Sequence, residues 1–475
     1  MMLRTLTAAG LAGVLLHTST LHGQYEDHQP AFTLAHLELS LRVNYDSRTI
    51  GGMASLMVRN HSPHPSATIS LLLGRLMRVW SVTSAGNLPL SFTQDVVVFA
   101  DDSVRQVNAI EVRLPRPVPS GDSLTIQVHY DGYLVGYTET GSLYIKDHVS
   151  PEFTILREDA YAWPVLGVPS WAANRGAVPS LFTFAARIMV PDTFVVAMGG
   201  EQEGRVEQDG LVTWSYRGAA PVPFLNIAIA PYRVLERGNA RIFYFPPDSS
   251  GARQVEQAIA GAMDRYTRWF GPLHRAARLT VMEIPEGWGS QASLTAGIIL
   301  TRDAFIHRAE LRQLYHELSH LWNVDDLERP SPRWNEGLAT FLQWRMAAEL
   351  DGWNDWAGRI ERTVQVLRRD CSAAGCDSLP LADYGRAGIT DRSYPVGMLL
   401  FHILSQVLGA ERFDRIYGSF FQSHREAGAT STELVAAFIA ADPRARRIFE
   451  DWFTTSRWYG ALTGKTVGEL IEEYR

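Results

Sequence analysis

A short run of residues near the middle of the chain combines side chains that can bind and use a metal ion. His316 and His320 are four residues apart and Glu317 follows the first of them. On a helix, positions i and i+4 lie on the same face, so both imidazoles can meet one ion while Glu317 lies beside it. Two neutral nitrogens suit Zn²⁺, and a neighbouring carboxylate can take a proton from a metal-bound water. The segment therefore predicts hydrolytic zinc chemistry.

Glu336 is the predicted third protein ligand. A hydrolytic zinc needs three protein ligands and one open position, and Glu336 stands at the start of the next predicted helix, after a loop that contains two prolines. Two antiparallel helices joined by that loop would return Glu336 to the ion. Asp326 occupies the place, six residues past His320, where a three-histidine site would have its third histidine. The pattern therefore predicts two histidines and a glutamate as ligands, rather than three histidines.

Composition limits what can position these residues. The 475 residues are 46% apolar and 20% charged, which excludes a disordered chain and allows about three domains of the usual size. The formal net charge is −7 and no long run of either sign occurs, so no basic surface is available for phosphates. Nucleic acid is not an expected partner.

Residues 25–237 are predicted to form an antiparallel β-sandwich. Short segments alternate apolar and polar side chains, as half-buried strands do, and turn-forming residues separate them. The clearest strands are His36–Val43, Leu124–Tyr130 and Phe182–Val190, and the clearest loops are Leu114–Pro119, Pro191–Asp192 and Gln208–Gly210.

Residues 238–475 are predicted to form a second, mostly helical domain with a small sheet, which makes the chain a multidomain α+β protein. Thr430 and Glu433 have the spacing of a capping box, and Gly409 has the place of a helix C-cap. The predicted strands are Leu279–Ile284 and Gly297–Thr301, and the predicted helices are Gln254–Phe270, His307–Trp322, Trp334–Leu350, Trp356–Arg369, Pro395–Leu408 and Ala410–His424.

The first 24 residues have the pattern of a cleaved signal peptide. Arg4 precedes the apolar run Leu6–Leu16 and a polar stretch follows; the run is too short to cross a bilayer, and a buried first helix is the alternative. We expect an exported protein, periplasmic or secreted, without a transmembrane segment in the mature chain. In that compartment Cys371 and Cys376 are expected to form a local disulfide, with free thiols as the alternative.

Three segments together resemble the M1 family of zinc peptidases, the gluzincins that include aminopeptidase N and leukotriene A4 hydrolase. They are His316–Trp322, Trp334–Ala339 and Tyr394–Met398, and Trp452–Gly460 resembles the end of the family's catalytic domain. The resemblance implies a saddle-shaped N-terminal β-sandwich followed by a thermolysin-like catalytic domain.

The resemblance also assigns roles to five residues. One Zn²⁺ would be bound by His316, His320 and Glu336. Glu317 would act as general base and then as proton donor, and the hydroxyl of Tyr394 would stabilise the oxyanion. The expected activity is hydrolysis of peptide or protein substrates by an aminopeptidase.

The sequence departs from the family pattern in three places. Fifteen residues separate His320 from Glu336 where the family has eighteen, so the connecting loop is expected to be shorter. The family's large C-terminal helical domain is not expected, because Trp452–Gly460, which resembles the end of the catalytic domain, lies close to the last residue of the sequence. The family's amine-binding glutamate also has no counterpart, because Gly287–Gly297 contains no acidic residue.

That third departure leaves the mode of cleavage open. Glu158 or Glu286 could supply the missing carboxylate, although a solvated surface role is expected for each. Without it, an endopeptidase or another peptide hydrolase becomes the alternative to an aminopeptidase. A non-catalytic peptide-binding protein is a further alternative, which the retained Glu317 and Tyr394 disfavour.

Two further predictions concern residues outside the catalytic set. Asp325 and Asp326 are expected to be solvated loop residues. His402, within an apolar helical run, is expected to be a core histidine rather than a ligand.

Overall fold

A computed structural model describes most of the chain. The described residues are 30–134, 148–177, 180–273, 278–286, 290–293, 296–328, 333–374, 380–383 and 392–475. The predicted signal peptide and the predicted Cys371–Cys376 disulfide lie outside what is described.

The first part of the chain forms strands because apolar side chains alternate along it. In β1 (Phe32–Asn44), Leu37, Leu39 and Leu41 are buried while Glu38 and Arg42 are exposed, as a strand with one buried face requires. The other strands are β2 Thr49–Asn60, β3 Ser66–Leu73, β4 Met77–Ser84, β5 Ser91–Phe99, β6 Asp102–Val118, β7 Ser123–Gly132, β8 Thr154–Arg157, β9 Val165–Leu166, β10 Phe182–Pro191, β11 Val195–Met198, β12 Glu201–Gln208, β13 Leu211–Val222 and β14 Asn226–Ala230, with one helix at Trp171–Gly176.

These strands form three sheets around a common interior. Their orders are β12-β13-β10-β1-β2-β7-β4, β5-β6-β3-β9 and β11-β14-β8, and Leu37, Ile110 and Ile227 from the three sheets belong to one buried cluster. The predicted antiparallel pairing is wrong for β1 and β10, which are parallel. His36 and Thr183, which pair across these two strands, are 147 residues apart, and a connection of that length permits a parallel pair.

One predicted loop is a strand. Residues 114–118 continue β6, although they include two prolines. Beyond Arg113, β6 has no partner in β5, and its register to β3 shifts before Val118. Proline is tolerated at such irregular positions because no ladder hydrogen bond is lost.

The second part begins with a five-stranded sheet. Its strands are β15 Arg233–Arg237, β16 Ala240–Tyr244, β17 Leu279–Ile284, β18 Gln291–Ser293 and β19 Gly297–Thr301, in the order β15-β16-β17-β19-β18. The three central strands are parallel and the two edge strands antiparallel. Every residue of β17 is buried, as expected for a strand covered on both faces. The predicted boundary after residue 237 falls between β15 and β16 and stays a prediction.

Ser249–Phe270, Asp303–Ile306 and Leu311–Ser319 pack against this sheet. The later helices described in this part are Asn335–Asp351, Trp356–Ala374, Ser393–Leu408, Ala410–His424, Ser431–Ala441, Ala445–Phe449, Arg457–Gly464 and Val467–Tyr474, with 3₁₀ turns at Pro246–Asp248, Arg308–Glu310, His320–Trp322 and Leu381–Asp383 and a π-helical turn at Glu450–Thr454. Three of all these helices carry predicted site residues: Leu311–Ser319 is the histidine helix, Asn335–Asp351 the glutamate helix and Ser393–Leu408 the tyrosine helix.

Local sequence signals predicted this part well. The two predicted strands have the predicted bounds, the capping box of Thr430 and Glu433 is formed, and Gly409 ends the tyrosine helix with a φ of 86°. The predicted helix His307–Trp322 is shorter, because only Leu311–Ser319 is α-helical and 3₁₀ turns flank it.

In the described part of the chain, no helix by itself is both long and apolar enough to cross a bilayer. The tyrosine helix and Ala410–His424 reach that length and apolarity only as a pair, bent by 118°.

Candidate metal centre

The histidine helix turns one face to the core and both histidines to another. Leu311, Leu314 and Leu318 are buried at the spacing of one helix face. The rings of His316 and His320 lie together, with centroids 4.9 Å apart. His320 belongs to the 3₁₀ turn that continues the helix, so the two histidines remain one turn apart.

Glu336, in the first turn of the glutamate helix, completes the cluster. Its Oε2 atom lies 3.1 Å from Nε2 of His316 and 3.6 Å from Nε2 of His320. The ligand atoms of the three residues all lie within 4.8 Å of one another. The structure therefore brings together the three residues that the sequence predicts as metal ligands.

This donor set fits Zn²⁺. Two ligands on a tetrahedral zinc, each about 2.0–2.1 Å from the ion, are about 3.3 Å apart, close to the 3.1 and 3.6 Å observed. The side chains of His316, His320 and Glu336 are 14%, 16% and 20% exposed. Three ligands with partial access to solvent match a catalytic zinc site, which keeps its fourth position open.

The sequence did not reveal the groups that orient the two imidazoles. Nδ1 of His316 lies 3.1 Å from Oε1 of Gln343, and Nδ1 of His320 lies 2.7 Å from the side-chain amide of Asn323. For His316, a hydrogen bond from Nδ1–H to the amide oxygen of Gln343 leaves Nε2 free to bind a metal. For His320, the atom next to Nδ1 is the amide nitrogen of Asn323, which donates to the ring. Gln343 could have been found from its position two helical turns after Glu336, which places both on one face.

Burial and charge set the protonation of the ligands. Burial lowers the pKa of His320 to about 4, although the charge of Glu336 opposes this, so the imidazole is neutral near pH 7. Burial raises the pKa of Glu336, but hydrogen bonds from His316 and Tyr394 and the charge of His320 outweigh it, and the net pKa is lowered. Burial opposes protonation of His316 as well, but its hydrogen bonds to Glu336 and Gln343 and the charges of Glu317 and Glu336 outweigh burial, and the net pKa of His316 is raised. Metal binding at His316 therefore competes with a proton.

Glu317 lies beside the ligands and is buried, with 7% of its surface exposed. Burial raises its pKa to about 7; the charge of His316 opposes the shift and that of Glu336 adds to it. A carboxyl group with a pKa in this range can both accept and donate a proton near neutral pH.

Tyr394 reaches the same cluster from the tyrosine helix. Its ring is nearly parallel to that of His316, at a centroid distance of 6.2 Å, and its side chain hydrogen-bonds Glu336. This contact depends on a close approach of two helices. A Cβ atom built on Gly337, next to Glu336, would lie only 2.4 Å from Cα of Gly397, one turn after Tyr394.

Two acidic residues are placed differently from their prediction. Asp326 is not a solvated loop residue, because its side chain is 4% exposed and pairs with Arg333; its neighbour Asp325 is exposed as predicted. Glu158 is only partly exposed, and its Oε2 atom is buried without a hydrogen-bond partner among the described residues. The single sequence did not reveal either environment. Arg333 is only seven residues from Asp326, but the loop between them gives no signal that the two side chains meet. Asn226 and Gln291, which line a cavity with Glu158, are distant in the chain. Glu286 is exposed, as predicted.

His402 is a core histidine, as predicted. It is 5% exposed and stacks on Trp356 at a centroid distance of 5.1 Å. Burial lowers its pKa to about 4. It lies on the tyrosine helix, two turns from Tyr394, among aromatic side chains rather than ligands.

Comparisons with known proteins test the resemblance to the M1 family. No protein-family model matches the chain. Over 223 residues it is 25% identical to Aminopeptidase M1-B of Oryza sativa subsp. japonica, an alignment that covers 42% of this chain and 25% of that relative. The chain thus matches about a quarter of the length of this curated relative.

Solved structures match over much more of the chain. An M1 zinc metallopeptidase variant from Deinococcus radiodurans, bound to a Tyr-Ser-Ala substrate, superposes with a TM-score of 0.64 at 19% identity, covering 89% of this chain and 94% of that one. The fold is that of the M1 zinc peptidases. Yeast LTA4 hydrolase in complex with bestatin shares this M1 fold, with a TM-score of 0.63 at 14% identity over 90% of this chain and 68% of that one.

The resemblance predicted from the sequence is thereby confirmed. The M1 fold also accounts for the order observed here, a β-rich first part followed by a largely helical one.

Proposed function

We propose that this protein is a zinc-dependent metallopeptidase, an aminopeptidase of the M1 type. The convergence of the ligand atoms of His316, His320 and Glu336 carries the proposal, since these are the donors of a hydrolytic zinc. The related proteins named above, an aminopeptidase and a zinc metallopeptidase, support it. On the same grounds we describe the first part as a β-sandwich and the second as thermolysin-like.

A zinc ion at this site would polarise the scissile carbonyl and lower the pKa of a bound water toward about 7. Glu317 accepts the proton of the attacking water and afterwards returns it to the leaving amine. Tyr394 donates its hydroxyl hydrogen to the oxygen that becomes negatively charged. Gln343 and Asn323 hold the imidazoles of His316 and His320 in orientation.

Metal content and turnover separate these roles. The purified protein should contain one zinc per chain, Glu336→Ala should lose it, and Glu317→Gln should keep it while losing peptide hydrolysis. Glu349→Ala, on the same helix but paired with Arg265 at 3.1 Å, is the matched control and should keep both. Full zinc and activity in Glu336→Ala would show that the third ligand lies elsewhere.

Glu158 supports the aminopeptidase mode. It lines a cavity of about 200 Å³ together with Asn226 and Gln291, and Gln291 begins β18, the edge strand beside the histidine helix. Burial, with a smaller contribution from the charge of Asp159, raises the pKa of Glu158 to about 8. A substrate ammonium would supply the partner that its buried oxygen lacks.

Recognition of the substrate's free α-amine can be tested by comparing the cleavage of free and N-acetylated peptides. A charge-assisted hydrogen bond contributes about 1.5–3 kcal/mol, so N-acetylation should lower kcat/KM by more than about tenfold. Glu158→Gln should abolish the difference, and Glu286→Gln, a change at an exposed carboxylate, should not. Equal cleavage of both peptides, with cuts at internal bonds, would favour the endopeptidase alternative.

We also propose that the protein is exported. The Arg4-led apolar run supports this, and the spacing of Cys371 and Cys376 supports a disulfide in the oxidising compartment. Intact-mass measurement of natively expressed protein should find a chain that starts near Tyr25 and lacks two thiol hydrogens. A mass that includes Met1 and two free thiols would contradict both statements.

A further inference from the structure

The segment between His320 and Glu336 is closed on itself by contacts among its described residues. The most exposed of them joins Nη2 of Arg333 to Oε2 of Glu328 at 3.3 Å, and two others are more buried. The side-chain amide of Asn335 donates to the carbonyl oxygen of Val324 at 3.1 Å. The guanidinium of Arg333 binds both carboxylate oxygens of Asp326, with Nε–Oδ2 at 2.6 Å and Nη2–Oδ1 at 2.5 Å. Each contact joins the chain that leaves the second histidine to the chain that enters the glutamate helix.

The Arg333–Asp326 pair is buried and its donors are used. The two side chains are 2% and 4% exposed, and Nη1 of Arg333 donates to the carbonyl oxygen of Ala382 at 2.7 Å. A bidentate guanidinium–carboxylate pair fixes the relative orientation of both groups, which a lysine at the same place would not do.

Asp326 is itself held in place by the backbone. The amide of Leu327 donates to the carbonyl oxygen of Ala429 at 3.0 Å, and the amide of Ala429 donates to the carbonyl oxygen of Asp325 at 2.8 Å. These bonds attach the segment to the chain just before helix Ser431–Ala441. Arg333 therefore binds a fixed carboxylate rather than a mobile one.

We propose that Arg333, through its pair with Asp326, is a positioning residue for Glu336. Arg333 lies three residues before Glu336 and Asp326 six residues after His320, so the pair sets the distance between the two ligand-bearing segments across a short connection. The inference rests on the proposed zinc centre. Because Arg333 also binds Ala382 in the turn Leu381–Asp383, it links this connection to a second segment of the same part of the chain.

A second buried pair on the glutamate helix provides a matched control. Arg345 binds both oxygens of Asp414, with Nη2–Oδ2 at 2.7 Å, and each side chain is 13% exposed. This pair ties the far half of the helix to Ala410–His424 and does not touch the His320–Glu336 connection. Loss of either pair should lower stability, but only loss of the Arg333 pair should disturb the metal ligands.

The experiment measures Zn²⁺ affinity by competition with a chromophoric chelator, together with the visible spectrum of the Co²⁺-substituted protein. Arg333→Met, Arg333→Lys and Asp326→Asn should each weaken Zn²⁺ binding by about tenfold or more, as loss of outer groups at metal sites does, and alter the Co²⁺ spectrum. Arg345→Met should leave both unchanged. Thermal unfolding of the apo forms reports stability separately.

The outcomes separate failure of the positioning role of Arg333 from failure of the proposed zinc centre. If the unaltered protein binds no Zn²⁺, the proposed function itself fails. If it binds Zn²⁺ and the Arg333 and Asp326 variants bind it equally well, or Arg345→Met weakens it equally, the positioning role is refuted. Should Arg333→Met not fold, the conservative Arg333→Lys and Asp326→Asn still test the role, because they keep the size of the side chain or remove only a charge.

Discussion

The contact between Gly337 and Gly397 sets how closely the glutamate and tyrosine helices approach, and we expect Gly337→Ala to lower the proposed peptidase activity strongly without removing any of the proposed catalytic groups. A Cβ atom on Gly337 would lie 2.4 Å from Cα and 2.8 Å from the carbonyl carbon of Gly397, and 2.9 Å from the carbonyl oxygen of Ser393. All three are backbone atoms of the tyrosine helix, so no side-chain rotation can relieve the overlap.

The magnitude follows from these distances. Ordinary contact for a Cβ atom begins at 3.4 Å, so the two helices must separate by about 1 Å, and Glu336 would move relative to Tyr394 by a similar amount. A displacement of this size in an active site can cost about 100-fold in rate. Overpacking also destabilises the fold by about 1–3 kcal/mol.

The assay compares kcat/KM, zinc content and the free energy of unfolding for Gly337→Ala and for Gly460→Ala. Gly460 lies in helix Arg457–Gly464, and a Cβ atom there would meet nothing within 4 Å. That variant should keep full activity and gain up to about 1 kcal/mol of stability, since alanine is the better helix former. Undiminished kcat/KM in the Gly337→Ala variant would refute the claim that the close approach of the two helices places Glu336 against Tyr394.

Three other outcomes are expected. Tyr394→Phe should keep its zinc and lose about 100- to 1,000-fold in kcat, as removal of one oxyanion donor does; unchanged turnover would reject that role. Burial raises the pKa of Glu283 to about 9; the amide of Phe245 opposes the shift and Asp248 adds to it. The stability that protonated Glu283 contributes is therefore present below its unfolded pKa of 4.5 and is lost as pH rises toward 9. Denaturant unfolding of Glu283→Gln should therefore show a smaller loss of stability across that range, and parallel curves would contradict the shift. Burial lowers the pKa of His402 to about 4, so the stability that its neutral imidazole contributes is present above pH 6.5 and is lost as pH falls toward 4. The stability of His402→Phe should therefore be less sensitive to acid in the same measurement.

The part of the site that was predictable from sequence depends on local spacing. His316, Glu317 and His320 lie within one turn and a half of helix, so their mutual geometry follows from helix periodicity alone. Glu336 was predicted from the loop that would return the next helix to the ion, and a motif that resembles a family supported it. Tyr394 was found through such a motif alone, not through any signal that it meets Glu336 in space. The contact between Gly337 and Gly397 was not predictable from the sequence either, because it depends on how the two helices pack against each other.

The residues that sequence reasoning missed are those whose partners are brought to them only by the fold. Asp326 resembles any polar loop residue until Arg333 is seen against it, and Glu158 resembles a surface glutamate until Gln291 and Asn226 are seen to line the same cavity. An isolated charge in a sequence is most often solvated, so the default expectation fails wherever the fold supplies a partner or a cavity.

The sheet β11-β14-β8 and the five-stranded sheet share an interior of their own, in which Ile155 packs with Met282 and Ile299. The hydroxyl of Tyr232 adds a hydrogen bond to the backbone carbonyl of Glu283 at 2.5 Å. Expressed alone, residues 238–475 would present the apolar face of their sheet to water, and such a face favours aggregation. The two parts should consequently melt in a single cooperative transition, and an attempt to isolate the metal centre by truncation to the second part should yield insoluble protein.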